Sequence, residues 1–417
     1  MKNNIVFKIS ILLVVPVFIY AESLQSLIEY ANGKNQLIVS SKLLQISKSK
    51  ELEAQKSAYY PTIDVGLLYQ RLDDRSPFMP GDIYSGYAKV GFDIYDGGRK
   101  SSLVEQKNHE LKSSKYETLA MKKNLSLQIV QDFYNIKNLE ASLMAFKEAE
   151  KSLDTQLNRV KKFYEVKVAT QDDVDRLQSA YDTNIYDIES IKFKIVSLKY
   201  SLSLKVTKDI DLLDDSSFKK FTQEDEKFYD FMDSTKSLMA QIDSVKSAAE
   251  SIDSIYYPNI KLEDTYSLYG YDRTDLLHPE GPDSQNKIIL SLNMRLFDKG
   301  AVKNTQQVMM INSQAMAQQV AYKNNEQVMQ YDLSKHRIQT SKLKIKSALS
   351  ALVAATSAFK TVEKKYNVGL VDNVAYLDAL TVQTRAKALY TKSLNDLEVA
   401  YAMYYYYSGK NLEEFLE

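Results

Sequence analysis

Two stretches, Arg99 to Val160 and Ala301 to Glu363, contain neither proline nor glycine. Each is about 60 residues long and would span about 90 Å as an α-helix. Apolar residues recur in them every seven positions. The series are Leu139, Phe146, Leu153 and Val160, then Ile338, Ile345, Leu352, Phe359 and Tyr366. A sustained heptad makes a narrow seam, suited to coiled-coil packing and too thin for the core of an ordinary globule. The chain must build an elongated body from paired helices.

Each long helix leads into the same phrase. Tyr366-Asn367-Val368-Gly369-Leu370 is followed by Leu377-Asp378-Ala379, and 202 residues earlier stand Tyr164-Glu165-Val166-Lys167-Val168, Asp173 and Leu177. Helical patterns enter and leave both phrases, so each reads as the tip of a helical hairpin, with tips at about 164–173 and 366–375. The returning helices run from about Asp172 to Lys205 and from Ala375 to about Tyr407. One tip used twice implies a duplicated chain.

Before each long helix the period changes to two. Pro61, Ile63, Val65, Leu67 and Tyr69 alternate with polar residues, and Ala88, Val90, Phe92 and Ile94 do so again before Tyr95-Asp96-Gly97-Gly98. The second copy has Tyr256-Tyr257-Pro258, then Ile260, Leu262, Tyr266 and Leu268. Its return strand is Ile288, Leu290, Leu292, Met294 and Leu296, ending at Phe297-Asp298-Lys299-Gly300. These are two amphipathic β-hairpins, at about 61–96 and 258–298, each interrupted by a polar, proline-containing loop. Helical spacing from Leu24 to about Ser57, with Gly33 as a break, precedes the first.

The expected organisation is a signal peptide over 1–21, a first repeat over 22–208, a connector over 209–235 and a second repeat over 236–417. The signal rests on Lys2 and Lys8 ahead of an apolar run ending at Ile19, with Ala21 as the small residue at the cleavage site. That run is shorter than the roughly 20 residues of a membrane-spanning helix. The mature chain is expected to leave the cytoplasm and to meet a membrane through strands or a surface helix.

Four amphipathic strands cannot close on themselves, and an open edge in lipid would leave backbone groups without partners. Outer-membrane barrels have about eight strands or more, so several chains must share one. Three chains would supply twelve strands, with apolar positions facing lipid and Lys89, Asp93, Lys261, Glu263 and Arg295 facing a water-filled lumen. The alternative for the strands is a water-soluble sandwich with one wet face per sheet. The predicted fold is therefore a mixed α and β membrane protein: a long coiled-coil α-helical barrel with four transmembrane β-strands per chain, closing as a trimeric 12-stranded β-barrel.

Taken together, the Tyr-Pro strand entry, the Asp-Gly-Gly strand exit, the twofold repeat and the Val-Gly-Leu tip followed by Leu-Asp-Ala resemble the TolC-type outer-membrane factors, the outer membrane efflux protein family. The resemblance covers essentially the whole mature chain. It implies a homotrimer spanning outer membrane and periplasm in a Gram-negative cell, a passive gated conduit for multidrug efflux or type I secretion. It also implies outer-membrane lipid around the barrel, and docking of a periplasmic adaptor (membrane fusion) protein and an inner-membrane pump of RND or ABC type.

Carried over residue by residue, the adaptor-docking turns fall on Val368, Gly369 and Leu370 and on Val166, Lys167 and Val168. Lys167 stands where the family often has glycine. The family's tyrosine–aspartate gate bond falls on Tyr366 and Asp173, and Asp378 matches one of its acidic ring positions. Ala375 occupies the other ring position and Val371 replaces an arginine of the usual lock. Asp172, Asp175 and Asp372 are candidates for replacement charge, or for helix caps. Three copies of Asp378 at a constriction would favour cations.

Other classes are poorly supported. With 54 basic and 54 acidic residues the net charge is zero, which gives no electrostatic reason to expect nucleic acid. There is no cysteine, so disulfides, thiolate metal sites and a lipid-bearing N-terminal cysteine are excluded. His109, His278 and His336 have no metal-ligand spacing, no glycine-rich phosphate loop follows a strand, and neither an enzyme nor a cofactor is expected. The remaining alternative is a periplasmic coiled-coil adaptor or scaffold without a channel. It would call for an inner-membrane anchor and a lipoyl-like β domain, which the sequence does not display. Tyr401 and Tyr404 to Tyr407 read as packing near the barrel–helix junction rather than as an interfacial aromatic belt.

Overall fold

A computed structural model describes residues 22–71, 73, 82–220, 229–271 and 282–417. The expected signal peptide, the tips of both strand loops with His278, and residues 221–228 of the connector lie outside the described residues.

Two helices of 67 residues each form the long axis: α3 (Arg99–Glu165) and α6 (Ala301–Asn367). Each is about 100 Å long at 1.5 Å per residue. Shorter helices lie along them in pairs. Along α3 lie α2 (Gln36–Ser57) and α4 (Gln171–Val206), and along α6 lie α5 (Asp233–Asp253) and α7 (Asn373–Tyr407). A short α1 (Leu24–Lys34) precedes α2, and α5 and α7 also pack on α3. The heptad seam is visible in the burial of α4, where Leu177, Asn184, Ile188, Ile195 and Leu202 face inward. On α6, Ser334, Ser341, Ala348 and Ala355 are buried seven residues apart, interleaved with Ile338 and Phe359. Small residues at these positions let the helices approach closely.

Where the short helices meet end to end, at mid-length, the main core forms. The Asn35 amide donates to the Lys205 carbonyl oxygen at 2.7 Å, joining α2 to α4. The Gln327 amide donates to the carbonyl oxygens of Asp230 and Tyr407, at 2.8 and 2.9 Å, joining α5 to α7. Leu24, Ile28, Phe133, Leu202, Phe218, Tyr331, Tyr401 and Tyr404 are buried together here. The C-terminal tyrosines are thus interior packing, as expected, but at the middle of the rod and not at the sheet–helix junction. Connector residues close over them: Tyr134 donates to the Ser216 carbonyl at 2.7 Å and Tyr405 to that of Lys219 at 2.5 Å. The Phe218 N–H donates to Glu398, whose carboxyl burial pushes above the usual carboxylate range.

The helix break lies at Asn35 and not at Gly33. Asn35 is extended, and its side chain accepts the N–H groups of Leu37 and Ile38, capping α2. Gly33 simply stays within the last turn of α1.

At one end, β1 (Thr62–Arg71), β2 (Asp82–Tyr95), β3 (Asn259–Tyr271) and β4 (Ser284–Asn293) form one antiparallel sheet in chain order. The register places Val65 opposite Ala88 and Ala88 opposite Tyr266, and Ile63 opposite Val90. Leu262 pairs with Leu290 on the same face. That face is mainly apolar and exposed, reaching 92% at Leu67, with Asp264 between Val90 and Ile288, Asn286 opposite Tyr266, and the strand-end residues Arg71, Asp82 and Ser284 as polar exceptions. The opposite face carries Asp64, Lys89, Thr265 and Lys287 in one row and ion pairs from Glu263 to Lys89 and Lys261, at 2.8 and 2.6 Å. Alternation expected through Leu296 stops at Asn293, and Arg295 therefore lies beyond the strand. Asn293 pairs with Asn259, and the preceding Pro258 has no N–H to continue the ladder. The outer edges of β1 and β4 pair with no strand among the described residues.

Candidate functional site: the paired hairpin tips

At the other end the two helical hairpins terminate side by side in matching turns. In the first, α3 closes on Val166 and Lys167 takes the left-handed conformation, φ 59°. Its N–H donates to the Tyr164 carbonyl at 2.9 Å, and Val168 N–H to that of Phe163 at 2.8 Å. In the second, Gly369 takes the same conformation, φ 77°. Gly369 N–H donates to Tyr366 and Leu370 N–H to Lys365, at 3.1 and 2.9 Å. Both are left-handed helix C-caps, a role glycine fills without a Cβ penalty. Val166, Val168, Val368 and Leu370 are left exposed, at 67–74%.

The next helices begin differently. Thr170 and Asp173 form a capping box on α4: the Asp173 N–H donates to the Thr170 hydroxyl oxygen, and the Thr170 N–H and hydroxyl donate to Asp173 Oδ2. The hydroxyl and then the N–H of Thr170 hold the Asp173 carboxyl below its usual range. On α7, Asp372 is the cap and accepts the N–H of Ala375 at 2.9 Å. Ala375 matches Asp173 in the repeat, so this second tip lacks the reciprocal carboxylate.

Two polar residue pairs bind the tips together. Asn373 of α7 donates to Asp173 Oδ1 at 3.0 Å. Arg159 of α3 donates to the Asn367 side-chain oxygen and carbonyl oxygen at 2.6 and 2.8 Å, and lies over the rings of Phe163 and Tyr366. Beneath them Tyr366 stacks on Tyr376, centroids 4.8 Å apart, and Tyr376 packs on Phe359. Tyr376 is fully buried with Leu153, Leu157, Val160, Leu177 and Leu380.

The structure thus brings Tyr366 and Asp173 into one cluster, with no hydrogen bond between them within the chain. Both carboxylate oxygens of Asp173 are engaged by Thr170 and Asn373. The Tyr366 hydroxyl is pushed up chiefly by burial, with Arg159 opposing and Asp173 adding. Asp378 is exposed on α7 and makes no ion pair among the described residues. Asp172 pairs with Arg176 at 2.8 Å, and Asp175 accepts from Gln171 at 2.7 Å. Arg159, Asn373 and Tyr376 escaped the sequence reading, and Asn367 entered it only as a member of the tip phrase. Arg159 lies beside the heptad residue Val160, but which helix it would face is set by the pairing of the two hairpins.

A long rod of paired helices, carrying a four-stranded sheet with one apolar face and two open edges, is the architecture of an outer-membrane channel subunit. The family model for outer membrane efflux proteins matches residues 27–185 and 236–405, and the chain belongs to that family. Solved structures of similar fold include the outer membrane protein VceC of Vibrio cholerae (14% identity, TM-score 0.80, 93% of this chain and 96% of that one). The CmeC outer membrane channel of Campylobacter jejuni is 12% identical, with TM-score 0.82 over 93% and 86% of the chains. The open-state MtrE outer membrane channel of Neisseria gonorrhoeae is 14% identical, with TM-score 0.78 over 93% and 89%. A comparison with curated protein sequences gave no match. The protein is an outer-membrane efflux channel component that extends into the periplasm, and not an enzyme.

Proposed function

We infer that three copies of the chain close into a 12-stranded barrel continued by a helical tube, forming a passive, gated conduit. The observation that carries this reading is the sheet itself. Strands of 10 to 14 residues are long enough for the roughly 9–11 that a tilted membrane-spanning strand needs, and the open edges call for partner strands. A head-to-tail ring pairs β4 of one copy with β1 of the next. Since β1 follows α2 and β4 precedes α6, the same ring brings the helices at the two sides together. Exposed apolar stripes support it, with Tyr186, Phe193 and Tyr200 on α4 and Tyr322, Met329 and Leu343 on α6.

In this conduit the repeats over 22–208 and 236–417, joined by the connector 209–235, each supply one β-hairpin and one helical hairpin, after removal of the signal peptide 1–21. The tips close the periplasmic end. Tyr366, Asp173 and Asp378 surround the gate, latched in the resting chain by Arg159–Asn367 and Asn373–Asp173. The exposed Val166, Lys167, Val168 and Val368, Gly369, Leu370 form the surface for a periplasmic adaptor, which delivers substrate from an inner-membrane pump. Apolar side chains held at the end of a rigid rod favour docking. The decisive experiment is the mass and single-channel conductance of the full chain purified from outer membrane in mild detergent. A trimeric mass, with small channels altered by Asp378→Asn or Tyr366→Phe, is expected. A detergent-independent monomer without channels would overturn the reading.

A further inference from the structure

The two β-hairpins share one register. All ten pairs of the first, from Thr62 opposite Gly91 to Arg71 opposite Asp82, recur in the second, from Asn259 opposite Asn293 to Leu268 opposite Ser284. The first strand is displaced by 197 positions, as Pro258 is from Pro61, and the return strand by 202. Between the hairpins, β2 pairs with β3, and Asp93 lies opposite Lys261. This ladder carries β2 on to Tyr95. β4 stops at Asn293, and in the counterpart of Phe92–Tyr95, which is Met294–Phe297, the side chains of Met294, Leu296 and Phe297 are exposed. What β2 has and β4 lacks is a strand on its outer side.

The strand that takes this place in a head-to-tail ring is β1 of the next copy. Transferring the β2–β3 register by the same two displacements sets Asn293 opposite Gly66 of that copy, and Arg295 opposite its Asp64. Faces are kept: Leu292 and Met294 meet Leu67 and Val65 on the apolar side, and Arg295 meets Asp64 on the polar side. The charges are reversed. Within the chain the acid stands on the return strand and the base on the next strand; between copies the base stands on the return strand and the acid on the next.

Neither residue is bare in the single chain. Lys89 lies opposite Asp64, but Glu263 holds it at 2.8 Å. Asp298 feels the charge of Arg295, but its oxygens accept Gly300 N–H, Val302 N–H and the Tyr256 hydroxyl. Asp96 lines the same cavity as Arg295 and accepts the N–H groups of Gly98 and Lys100.

We propose that Arg295 and Asp64 of the next copy form the pair that sets register between copies, and that its reversed polarity sorts the hairpins. The proposal rests on the three-copy ring inferred above. A slip of one residue is already forbidden, because it would turn the apolar set to the wrong face. A slip of two keeps the faces, and only the charge pair opposes it. Two first hairpins set side by side would bring Asp93 against Asp64, and two second hairpins Arg295 against Lys261. Like charges directly opposite are destabilising, so first and second hairpins alternate around the barrel.

The chain has no cysteine, so two introduced thiols report one contact. Opposed Cα atoms in an antiparallel pair lie about 4.5–5.5 Å apart, within the reach of a disulfide. Oxidation of the full chain carrying Asp64→Cys/Arg295→Cys, in outer membrane, is expected to give covalent dimers and trimers on a denaturing gel. About tenfold less is expected from Asp64→Cys/Ser291→Cys, whose thiols stand four residues out of register and too far apart to bridge. Separately, Arg295→Asp is expected to lower the temperature at which the detergent-solubilised trimer dissociates, and Asp64→Arg/Arg295→Asp to restore it. A trimeric parent protein that cross-links best through Ser291, or not at all between copies, overturns this register and leaves the conduit standing. Equal dissociation temperatures in the single and double reversals overturn the role of charge. A monomeric parent protein overturns the ring and this proposal together.

Discussion

Lys167 takes a backbone conformation that its equivalent Gly369 adopts without cost. A residue with a Cβ in the left-handed region is penalised by about 1 kcal/mol or more. Lys167→Gly is therefore expected to raise unfolding stability by about 1 kcal/mol, measured by denaturant titration of the detergent-solubilised protein. Asp173 makes a pH prediction at the same tip. Its carboxyl is held below the ordinary range, so its contribution is full above that range and lost as pH falls through the depressed value. The acid limb of thermal stability should be shallower in Asp173→Asn than in the parent protein. An unchanged limb would mean that the capping box does not contribute.

Among the elements, α4 depends on its seam. Ile188 is 2% exposed in the α3–α4 interface, and Ile188→Ala is expected to cost about 2–5 kcal/mol, read by the same titration. The strands answer to lipid instead. Val65 is exposed near the middle of β1, on the apolar face. Val65→Arg should disfavour the membrane-inserted state by about 2–4 kcal/mol, whereas Lys89→Gln on the polar face should be tolerated. Folding into vesicles, followed by protease protection, distinguishes the two. Equal insertion of both variants would refute the assignment of faces.

For the molecule as a whole, the contacts between hairpins matter more than any one helix. Arg159→Ala with Asn373→Ala removes both polar links between the tips while leaving the turns intact. Larger mean conductance is expected from planar-bilayer recordings of the double variant. Conductance equal to that of the parent would show that the latch does not restrain the pore.

Much of this architecture is local and was therefore legible in the chain. The absence of proline and glycine from Arg99 to Val160 permits one unbroken helix, and heptad spacing dictates that it be paired. Period-two alternation from Ile63 to Tyr69 places one apolar face on a strand, whatever its neighbours. The tip turns were visible as a phrase used twice, because a helix reversal needs the same backbone geometry each time. What only the tertiary structure decided depends on contacts between residues far apart in sequence. Gly33 was the stronger helix breaker by composition, yet Asn35 makes the break because its amide reaches Lys205 across the rod. Tyr401 and Tyr404 pack at mid-length because the short helices meet there, and Arg159 reaches Asn367 because two hairpins end at one height. Periodicity determines which face of an element is apolar, and the meeting of distant elements determines what that face covers.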